Sequence, residues 1–366
     1  MNENKTEATK SFKGVKRTVP MTPTPTVLIA MSGGVDSTVA AVLMRQAGFE
    51  CSGATMKLFE GGGKTVEEAK TVSKQLGIPF YEFDFIEIFN KNVINPFIGD
   101  YGQGRTPNPC VTCNKHLKFG AFMEKAADMG INCIATGHYV QTELDSNGRY
   151  LLKKGTDLSK DQSYVLYSLT QKQLAHSVFP LGKITKAEAR EIAAEAGFDN
   201  VNKSESQDIC FIPDGDYMNF INNYTGTLPQ KGRFIDTDGN DLGESKGISS
   251  YTIGQRRGLG LSMPHPPYVI ELRPADNTVV IGKEDMLYSK TLTAKNINLI
   301  PFDKIDSQIK ANVKIRYSDP GHPALVRQTG EDTLYIEFNE PQRAITKGQA
   351  AVIYDGDFII GGGTII

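Results

Sequence analysis

A short glycine-containing loop between a predicted strand and a predicted helix constrains the fold of this chain more than any other feature. Residues 27–31 form an uninterrupted apolar run, which is typical of a strand buried in a parallel sheet. Residues 38–46 are good helix formers, and Gly48 follows them as a helix stop. The loop between the two elements aims free backbone N–H groups and the positive end of the helix dipole at one point. The sequence therefore predicts a phosphate-binding turn.

The residues of this loop, Ser32-Gly-Gly-Val-Asp-Ser37, distinguish it from a Walker A loop, which would end in Gly-Lys-Ser/Thr. Its two glycines let the backbone approach a ligand, and its two serine hydroxyls can donate to a phosphate. An acidic residue beside phosphates, here Asp36, is best explained if it helps to hold Mg²⁺. The alternative is an ordinary glycine turn, but five fixed residue types rarely coincide by chance in a chain of 366 residues.

The loop resembles the Ser-Gly-Gly-x-Asp-Ser signature of the PP-loop ATP pyrophosphatases. Those enzymes cleave ATP between the α- and β-phosphates and place AMP on a carbonyl oxygen. The superfamily includes amide-forming synthetases as well as RNA-thiolating enzymes. The loop alone therefore predicts the adenylation half-reaction and leaves the second half-reaction open.

Length and composition set limits on the class of protein. A chain of 366 residues has room for about two or three domains, and its 40 basic and 42 acidic residues neither support nor exclude a nucleic-acid partner. No apolar run approaches the length of a membrane span, and the first residues lack the apolar core of a secretory signal. Five cysteines, an odd number, favour a reducing compartment. We expect a cytoplasmic protein without a membrane partner.

Predicted elements divide the chain into four parts. Residues 1–24 are predicted to form a mobile tail. Strand and helix patterns alternate over residues 25–215, which predicts a doubly wound parallel α/β domain whose ligand sites lie at the carboxyl ends of the strands. Turn-forming residues increase after this point, so residues 216–288 are predicted to form a small central domain. Short alternating runs over residues 289–366 predict a compact C-terminal β-barrel.

Within these parts the local patterns predict individual elements. Strands are predicted at 49–56, 80–85, 131–135, 311–317, 334–338, 350–354 and 358–361, and helices at 66–76, 115–129 and 186–196. A capping box, Thr185 to Glu188, opens the last of these helices. Two prolines within residues 106–114 predict that this stretch is a loop and not a helix.

The cysteines carry the second chemical signal. Cys110 and Cys113 form a C-x-x-C in the predicted loop, and Cys210 stands far from them in the sequence. Cys51 and Cys133 lie in apolar strand patterns and are predicted to be inert core residues. For the other three the alternative is a zinc half-site or incidental thiols. Zinc normally takes four ligands, however, and no second C-x-x-C or histidine pair lies nearby in the sequence.

With these cysteines the chain resembles the tRNA-specific 2-thiouridylases, the MnmA family, from about Val27 to the C-terminus. The matching stretches are Ser32-Gly-Gly-Val-Asp-Ser37, Gly104-Arg-Thr-Pro-Asn-Pro109, Cys113-Asn-Lys115, Ala135-Thr-Gly-His-Tyr139, Lys160-Asp-Gln-Ser-Tyr164, Ile209-Cys-Phe-Ile212, Thr252-Ile-Gly-Gln-Arg-Arg-Gly-Leu-Gly260, Lys314-Ile-Arg-Tyr317 and Gly348-Gln-Ala-Ala-Val352. Each stretch is modest evidence by itself. Their occurrence in the family's order is strong evidence.

The resemblance implies 2-thiolation of the wobble uridine of tRNA. ATP would first adenylate the uridine C2 oxygen, a poor leaving group, with Mg²⁺ and backbone amides stabilising the developing charge. A persulfide on Cys210 would then deliver the sulfur, and Cys113 would be the nucleophile that releases it. The product would be a Cys113–Cys210 disulfide that has to be reduced.

The resemblance also implies contacts and partners. ATP contacts are implied for Ala30, Met31, Ser32, Gly33, Gly34, Val35, Asp36, Ser37, Met56 and Gly137. Contacts with the flipped-out target base are implied for Asn108, Pro109 and Cys110, and contacts with the rest of the tRNA for His138, Lys160, Asp161, Gln162, Arg316, Tyr317 and Gln349. The implied partners are the tRNAs for Lys, Glu and Gln, and a sulfur-relay donor or cysteine desulfurase.

One departure from the family leaves an alternative open. Some members carry Asp where this chain has Cys110, so three thiols, Cys110, Cys113 and Cys210, could converge here. Three thiolates with one open iron are a plausible [4Fe–4S] arrangement, in which the open iron and not a persulfide would carry the sulfur.

Two rival functions stay open at this level. A PP-loop ligase that adenylates a carboxylate or a free nucleotide would need no cysteine. A tRNA-binding or redox-sensing protein that has kept the fold and lost turnover would bind tRNA without consuming ATP.

Overall fold

The computed structural model of the chain describes residues 25–60, 63–198 and 209–366. The tail predicted at residues 1–24 lies outside the described residues. In the described part of the chain, no helix combines the length and the apolar character that a membrane crossing requires.

Five parallel strands form the sheet of the first domain, in the order β3-β2-β1-β4-β7. The strands are β1 Thr26–Ala30, β2 Glu50–Lys57, β3 Phe80–Asp84, β4 Ile134–Ala135 and β7 Ser177–Val178. The strand order reverses between β1 and β4, so their carboxyl ends border the crevice in which doubly wound domains bind ligands. The predicted fold class is confirmed.

Helices cover both faces of this sheet. They are α1 Val35–Gln46, α2 Gly63–Leu76, α3 Ile86–Phe89, α4 Asn95–Gly102, α5 Pro109–Cys113, α6 Phe122–Asp128, α7 Gln171–Ala175 and α8 Lys186–Glu195, with π-helical segments at Asn90–Ile94 and Asn114–Ala121 and 3₁₀ turns at Ser163–Leu166 and Pro180–Lys183. Val27 and Ile29 of β1 pack into one apolar cluster, and Leu28 packs into the cluster on the other face. Each such burial stabilises the fold by about 1.5–3 kcal/mol.

The prediction of a loop over residues 106–114 is wrong in its second half, where α5 forms. Pro109 is the first residue of α5, a position at which the missing N–H is not needed for a helical hydrogen bond. The Asn108 side chain caps the helix by accepting a hydrogen bond from the Val111 N–H at 3.4 Å. The two prolines therefore mark the start of a helix.

The helix predicted over residues 115–129 is present, but its first half has π-helical hydrogen bonding before α6 continues it. The capping box that opens α8 is confirmed, because the Thr185 side chain and the Glu188 side chain each bond to the other's backbone. The strand predicted over 131–135 is shorter than expected and comprises the two residues of β4.

The central part of the chain forms a separate four-stranded sheet in the order β10-β11-β8-β9. Its elements are α9 Tyr217–Thr225, β8 Gly232–Ile235, β9 Asp241–Ser245, β10 Tyr268–Arg273 and β11 Thr278–Gly282, with 3₁₀ turns at Ile248–Ser250 and Glu284–Leu287. Phe234, Val269 and Val279 belong to its own apolar cluster.

The C-terminal strands close into a six-stranded antiparallel barrel, because β12 pairs with both β15 and β17. The strands are β12 Tyr288–Leu299, β13 Ile309–Lys314, β14 His322–Gly330, β15 Thr333–Arg343, β16 Ala350–Asp355 and β17 Phe358–Ile365. The predicted C-terminal barrel is confirmed.

A hairpin from the first domain extends the sheet of the barrel. Its strands are β5 Val140–Leu144 and β6 Tyr150–Lys154, and β6 pairs with β17 so that Ile359 lies opposite Leu152. Both residues are buried in the apolar cluster that also contains Leu28 of the parallel sheet. The first domain and the barrel therefore share one core.

Candidate active site

The predicted phosphate-binding turn joins β1 to α1 at the edge of the crevice. Gly33 has φ +70°, a conformation that favours glycine, and a Cβ on it would come within 2.5 Å of the Glu68 side chain on α2. Gly34 is the N-cap of α1, and no side chain caps this helix. The N–H groups of the first turn of α1 are therefore not engaged by a capping side chain and are suited to an anion.

The two serines of the turn differ in their surroundings. Ser37 is buried, and its hydroxyl donates to the Gly34 carbonyl at 3.0 Å and accepts from the Ser32 N–H at 3.2 Å. Ser37 therefore shapes the turn, whereas Ser32 is exposed to solvent. Three other predicted ATP contacts, Met31, Val35 and Ala30, are buried or half-buried, so they present mainly their backbone.

Asp36 is bound by two side chains that the sequence did not single out. The Lys186 ammonium lies 2.7 Å from one carboxylate oxygen of Asp36 and 2.9 Å from the other, and the Tyr139 hydroxyl donates to Asp36 at 2.7 Å. Lys186 follows Thr185, the first residue of the capping box, and is only 6% exposed. A buried ammonium group therefore lies directly beside the phosphate-binding turn.

The end of β4 touches the same turn. A Cβ on Gly137 would come within 2.8–3.0 Å of the backbone of Asp36, so the close approach of the two segments requires glycine. Met56 lies near the end of the neighbouring strand β2 and is half-buried. The predicted ATP residues thus meet where β1, β2 and β4 end.

His138 connects this edge of the sheet to the π-helical segment. Its ring is 7% exposed, its Nδ1 lies 2.8 Å from the Thr136 hydroxyl, and its centroid is 5.7 Å from that of Phe119. Burial, helped by the positive charge of Lys118, holds the pKa of His138 well below its usual range. His138 is therefore neutral and lies inside the protein, against Phe119 of the π-helical segment.

Cys110, Cys113 and Cys210 interact with one another electrostatically, so the structure brings together the three cysteines that the sequence singled out. The negative charge of an ionised Cys110 raises the pKa of Cys210, and the charges of ionised Cys110 and Cys210 each raise the pKa of Cys113. The segment that carries Cys210 packs its next residue, Phe211, into the core cluster that contains Cys113. No disulfide joins the three thiols in this structure.

The three thiols differ in their access to solvent. Cys113 is 8% exposed, and burial raises its pKa to about 12. Cys110 and Cys210 are exposed, yet burial is also the main cause that raises the pKa of each. The charge of Lys118 lowers the pKa of all three thiols and partly offsets the burial.

The iron–sulfur alternative is not supported. Across residues 25–60, 63–198 and 209–366, no group of three or more His, Cys, Asp or Glu side chains is arranged to hold a metal ion. The three thiols lie within this part of the chain.

The residues predicted to contact tRNA form two groups. In the first, the Asp161 carboxylate accepts from the backbone and hydroxyl of Ser163, and the Gln162 side chain accepts from the Tyr139 N–H at 3.0 Å. Lys160 precedes them and is half-buried. A loop of the barrel meets this group, because the Tyr317 hydroxyl donates to the Asp161 carbonyl at 3.1 Å.

Arg316 and Tyr317 of this barrel loop are exposed, with 49% of the surface of Tyr317 in solvent.

The second group surrounds α5. The Gln349 side chain donates to the Thr106 carbonyl at 2.8 Å and so ties the barrel to the segment that enters α5 through Asn108 and Pro109. Both groups lie where the barrel contacts the first domain.

Sequence reasoning missed Lys118, Lys186 and Tyr139. A signal for Lys186 was available, since it lies inside the capping box of α8, but a lysine at that position normally points to solvent. Lys118 carried no signal, because its position on the thiol face depends on the π-helical turn. Tyr139 ends the stretch Ala135-Thr-Gly-His-Tyr139 and carries no separate signal of its own.

A phosphate-binding turn with uncapped helical N–H groups, placed at the switch point of this sheet, defines an ATP-binding protein of the PP-loop class. The family model described as tRNA methyl transferase HUP domain matches residues 25–214. Two further models, described as tRNA methyl transferase PRC-barrel domain and aminomethyltransferase beta-barrel domain, match residues 218–283 and 289–365.

Curated relatives are similar over nearly their whole length. A protein of Clostridioides difficile, named tRNA-specific 2-thiouridylase MnmA, is 48% identical over 93% of this chain and 97% of its own. Proteins of the same name in Halothermothrix orenii and, as MnmA 1, in Caldanaerobacter subterraneus are each 46% identical over 93% of this chain, and over 98% and 97% of their own. The chain belongs to the family of tRNA-specific 2-thiouridylases.

Proposed function

We propose that this chain uses ATP to adenylate the C2 oxygen of the wobble uridine in tRNA and replaces that oxygen with sulfur carried on Cys210. One observation carries the proposal. Asp36 of the phosphate-binding turn abuts Gly137, the next residue His138 packs on Phe119, and Lys118 beside it acts on all three thiols. The ATP-binding and sulfur-carrying groups therefore lie along one continuous edge.

On the ATP side, the N–H groups of Gly34 and the first turn of α1 bind phosphate oxygens, and Lys186 neutralises the negative charge that develops when pyrophosphate leaves. Asp36 holds Lys186 in place until ATP binds. Mg²⁺ would neutralise the phosphates further. Asp36 would be free to hold the ion once Lys186 has turned from its two carboxylate oxygens to the phosphates.

On the sulfur side, the terminal sulfur of a Cys210 persulfide attacks C2 of the adenylated uridine, and the bond between C2 and the AMP oxygen breaks. The Cys113 thiolate attacks the inner persulfide sulfur, which frees the sulfur on C2 as the thiocarbonyl. A Cys113–Cys210 disulfide forms in the same step. The exposure of Cys210 suits a thiol that must be loaded by another protein, and the burial of Cys113 protects the second nucleophile.

The RNA and protein partners are part of the same proposal. The base enters beside Asn108, Pro109 and Cys110, while Lys160, Arg316 and Tyr317 contact the backbone of the tRNA around it. The tRNAs are those for Lys, Glu and Gln, and the sulfur comes from a relay protein or a cysteine desulfurase in the cytoplasm. The descriptions of two matching family models speak of methyl transfer, which needs neither an ATP-cleaving turn nor a pair of thiols.

A single-turnover assay tests the proposal. Unmodified tRNA, Mg-ATP and a persulfide donor are mixed with the wild type, Cys113→Ser or Cys210→Ser, and 2-thiouridine and AMP are measured by mass spectrometry. We expect one equivalent of 2-thiouridine from the wild type, and AMP formation without 2-thiouridine from both variants. A wild type that cleaves ATP to AMP with tRNA present and forms no 2-thiouridine would overturn the proposal in favour of a ligase.

A further inference from the structure

The proposed thiolation leaves a disulfide that must be opened before Cys210 can be loaded again. Its inner partner, Cys113, is a member of the buried core cluster and is 8% exposed. Its other partner, Cys210, is exposed, so a reductant in solvent attacks the Cys210 sulfur. The resulting mixed disulfide lies on Cys210 itself, the thiol that has to be loaded again.

Cys110 supplies a third thiol on the same helical turn. Cys110 and Cys113 are the second and fifth residues of α5, three positions apart, so their side chains share one face. Side chains at this spacing have Cβ atoms about 5–6 Å apart, whereas a disulfide needs about 3.5–4.5 Å. A small adjustment within a five-residue helix therefore suffices to join them.

Access differs within this pair. Cys110 is exposed and Cys113 is buried. A Cys110–Cys113 disulfide would also present one exposed sulfur, that of Cys110, while the thiol of Cys210 would be released. A reductant would then form its mixed disulfide on Cys110 and leave Cys210 free.

We propose that Cys110 is a resolving thiol that exchanges with the Cys113–Cys210 disulfide and so transfers the oxidised bond to the pair Cys110–Cys113, an inference that rests on the proposed function. The Cys110 sulfur, after loss of its proton, attacks the Cys113 sulfur. A Cys110–Cys113 bond forms, the Cys113–Cys210 bond breaks, and the electron pair and a proton go to Cys210. No net oxidation occurs in this step.

Reduction follows as a separate reaction with an external protein dithiol of the thioredoxin class. One thiolate of that protein attacks the exposed Cys110 sulfur and forms a mixed disulfide. Its second thiol then displaces Cys110, so two electrons and two protons pass to Cys110 and Cys113, and the reductant keeps the disulfide. Cys210 is already free for a new persulfide during this reduction.

Peptide mapping after one turnover tests the exchange. Trypsin places Cys110 and Cys113 together in peptide 106–115 and Cys210 in peptide 204–231. The wild type is run through one turnover without reductant and quenched with N-ethylmaleimide. We expect peptide 106–115 to carry an internal disulfide, two hydrogens lighter, and peptide 204–231 to be alkylated. Cys110→Ser should instead give the two peptides cross-linked through Cys113 and Cys210.

Turnover in the presence of different reductants gives a second readout. For Cys110→Ser we expect the rate of later turnovers, divided by the rate of the first, to fall at least about tenfold when a thioredoxin-type protein is the reductant. Dithiothreitol, a small-molecule dithiol added in excess, should restore the ratio. Thr112→Ala on the same helical turn controls for disturbance of α5.

The outcomes separate the two proposals. If the wild type forms 2-thiouridine in the first turnover but accumulates the cross-linked peptides, and Cys110→Ser recycles as well as the wild type with the protein reductant, the resolving role is wrong and the thiolation stands. If the first turnover yields no 2-thiouridine, the proposed function itself fails.

Discussion

Lys186 and Asp36 form the clearest functional contact between single residues. The buried ammonium group of Lys186 is held against a carboxylate beside the phosphate-binding turn, so it is positioned to bind an anion there. Exposed ion pairs contribute little to stability, but this lysine is 6% exposed, so its desolvation has to be offset by charged partners. In the absence of ATP the partner is Asp36, and the phosphates of ATP offer a stronger one.

Replacing this lysine tests that interpretation. We expect Lys186→Gln to lower the rate of AMP formation by about 10²- to 10³-fold, the usual effect of removing one group that stabilises developing charge. Pyrophosphate release would be measured with tRNA and Mg-ATP in excess. Lys183→Gln, an exposed lysine at the end of the preceding 3₁₀ turn, is the matched control. Equal activity of both variants would contradict the role of Lys186.

The raised pKa of Cys113 gives a pH dependence. Burial raises the pKa of this thiol to about 12, so it is protonated at neutral pH. Below the pKa, the fraction present as reactive thiolate rises about tenfold for each unit by which the pH increases. In a Cys110→Ser, Cys210→Ser background we therefore expect the alkylation rate of Cys113 to rise steadily from pH 7 to 9. Mass spectrometry of peptide 106–115 measures it. A plateau below pH 9 would contradict the raised pKa.

The same shift lowers stability at alkaline pH. The folded-state pKa of Cys113 lies above the unfolded value of 9.0, so the folded chain holds a proton that the unfolded chain loses. The contribution of the Cys113 thiol to the free energy of unfolding is therefore constant below about pH 9 and falls as the pH rises above that value.

At the scale of elements, the π-helical segment Asn114–Ala121 determines that the side chain of Lys118 lies on the side of the thiols. Lys118 follows Cys113 by five residues, and hydrogen bonds from residue i to residue i+5 bring residues at this spacing onto one face. In a regular α-helix the same two residues would point about 140° apart. The change of helix type therefore turns Lys118 toward the thiols, whose pKa values its charge lowers.

Removing this charge should slow the chemistry of all three thiols. We expect Lys118→Met to reduce the alkylation rates of Cys110, Cys113 and Cys210 at pH 8 by about threefold to tenfold, because the pKa of each thiol rises. The difference from the wild type should shrink at 1 M salt, where interactions between charges near solvent are screened. Lys125→Met on α6 serves as the control. Unchanged rates in Lys118→Met would show that the lysine does not act on the thiols.

The sequence was sufficient for elements that local pattern defines. The apolar run of β1, the glycine turn after it and the capping box of α8 are signals contained within about ten residues, and all three are present as predicted. The prediction is wrong at α5, because proline breaks a helix in its interior but is favourable at its first position, where Pro109 lies.

The candidate site could be predicted only in part, and less from local sequence pattern than the elements of the fold could. The convergence of Cys210 with Cys110 and Cys113 followed from the family resemblance and not from spacing, since about a hundred residues separate them in the sequence. The ion pair of Lys186 with Asp36 joins residues 150 positions apart and leaves no local trace. Such contacts depend on tertiary packing, which periodicity does not encode.

At the scale of the whole molecule, the first domain and the barrel share a core. The cluster around Leu28 also contains Val352 and Ile359 of the barrel, and the Tyr164 hydroxyl donates to the Ala350 carbonyl at 2.8 Å. The central sheet packs around its own cluster instead. A shared core fixes the position of Tyr317 over the loop that carries Asp161, so the barrel surface proposed to bind tRNA has a fixed position relative to the phosphate-binding turn.

This arrangement predicts that the first domain and the barrel unfold together. Ile359→Ala removes side-chain volume from the shared core, where Ile359 is 1% exposed, and should cost about 2–5 kcal/mol. We expect amide hydrogen exchange to accelerate by the same free energy in β1 and in β16, although the substitution lies in β17. Val279→Ala, fully buried in the central cluster, is the control and should accelerate exchange mainly in β8 and β11. If Ile359→Ala affected the barrel strands and left β1 unchanged, the two domains would be independent units, and the tRNA surface would be free to move relative to the ATP site.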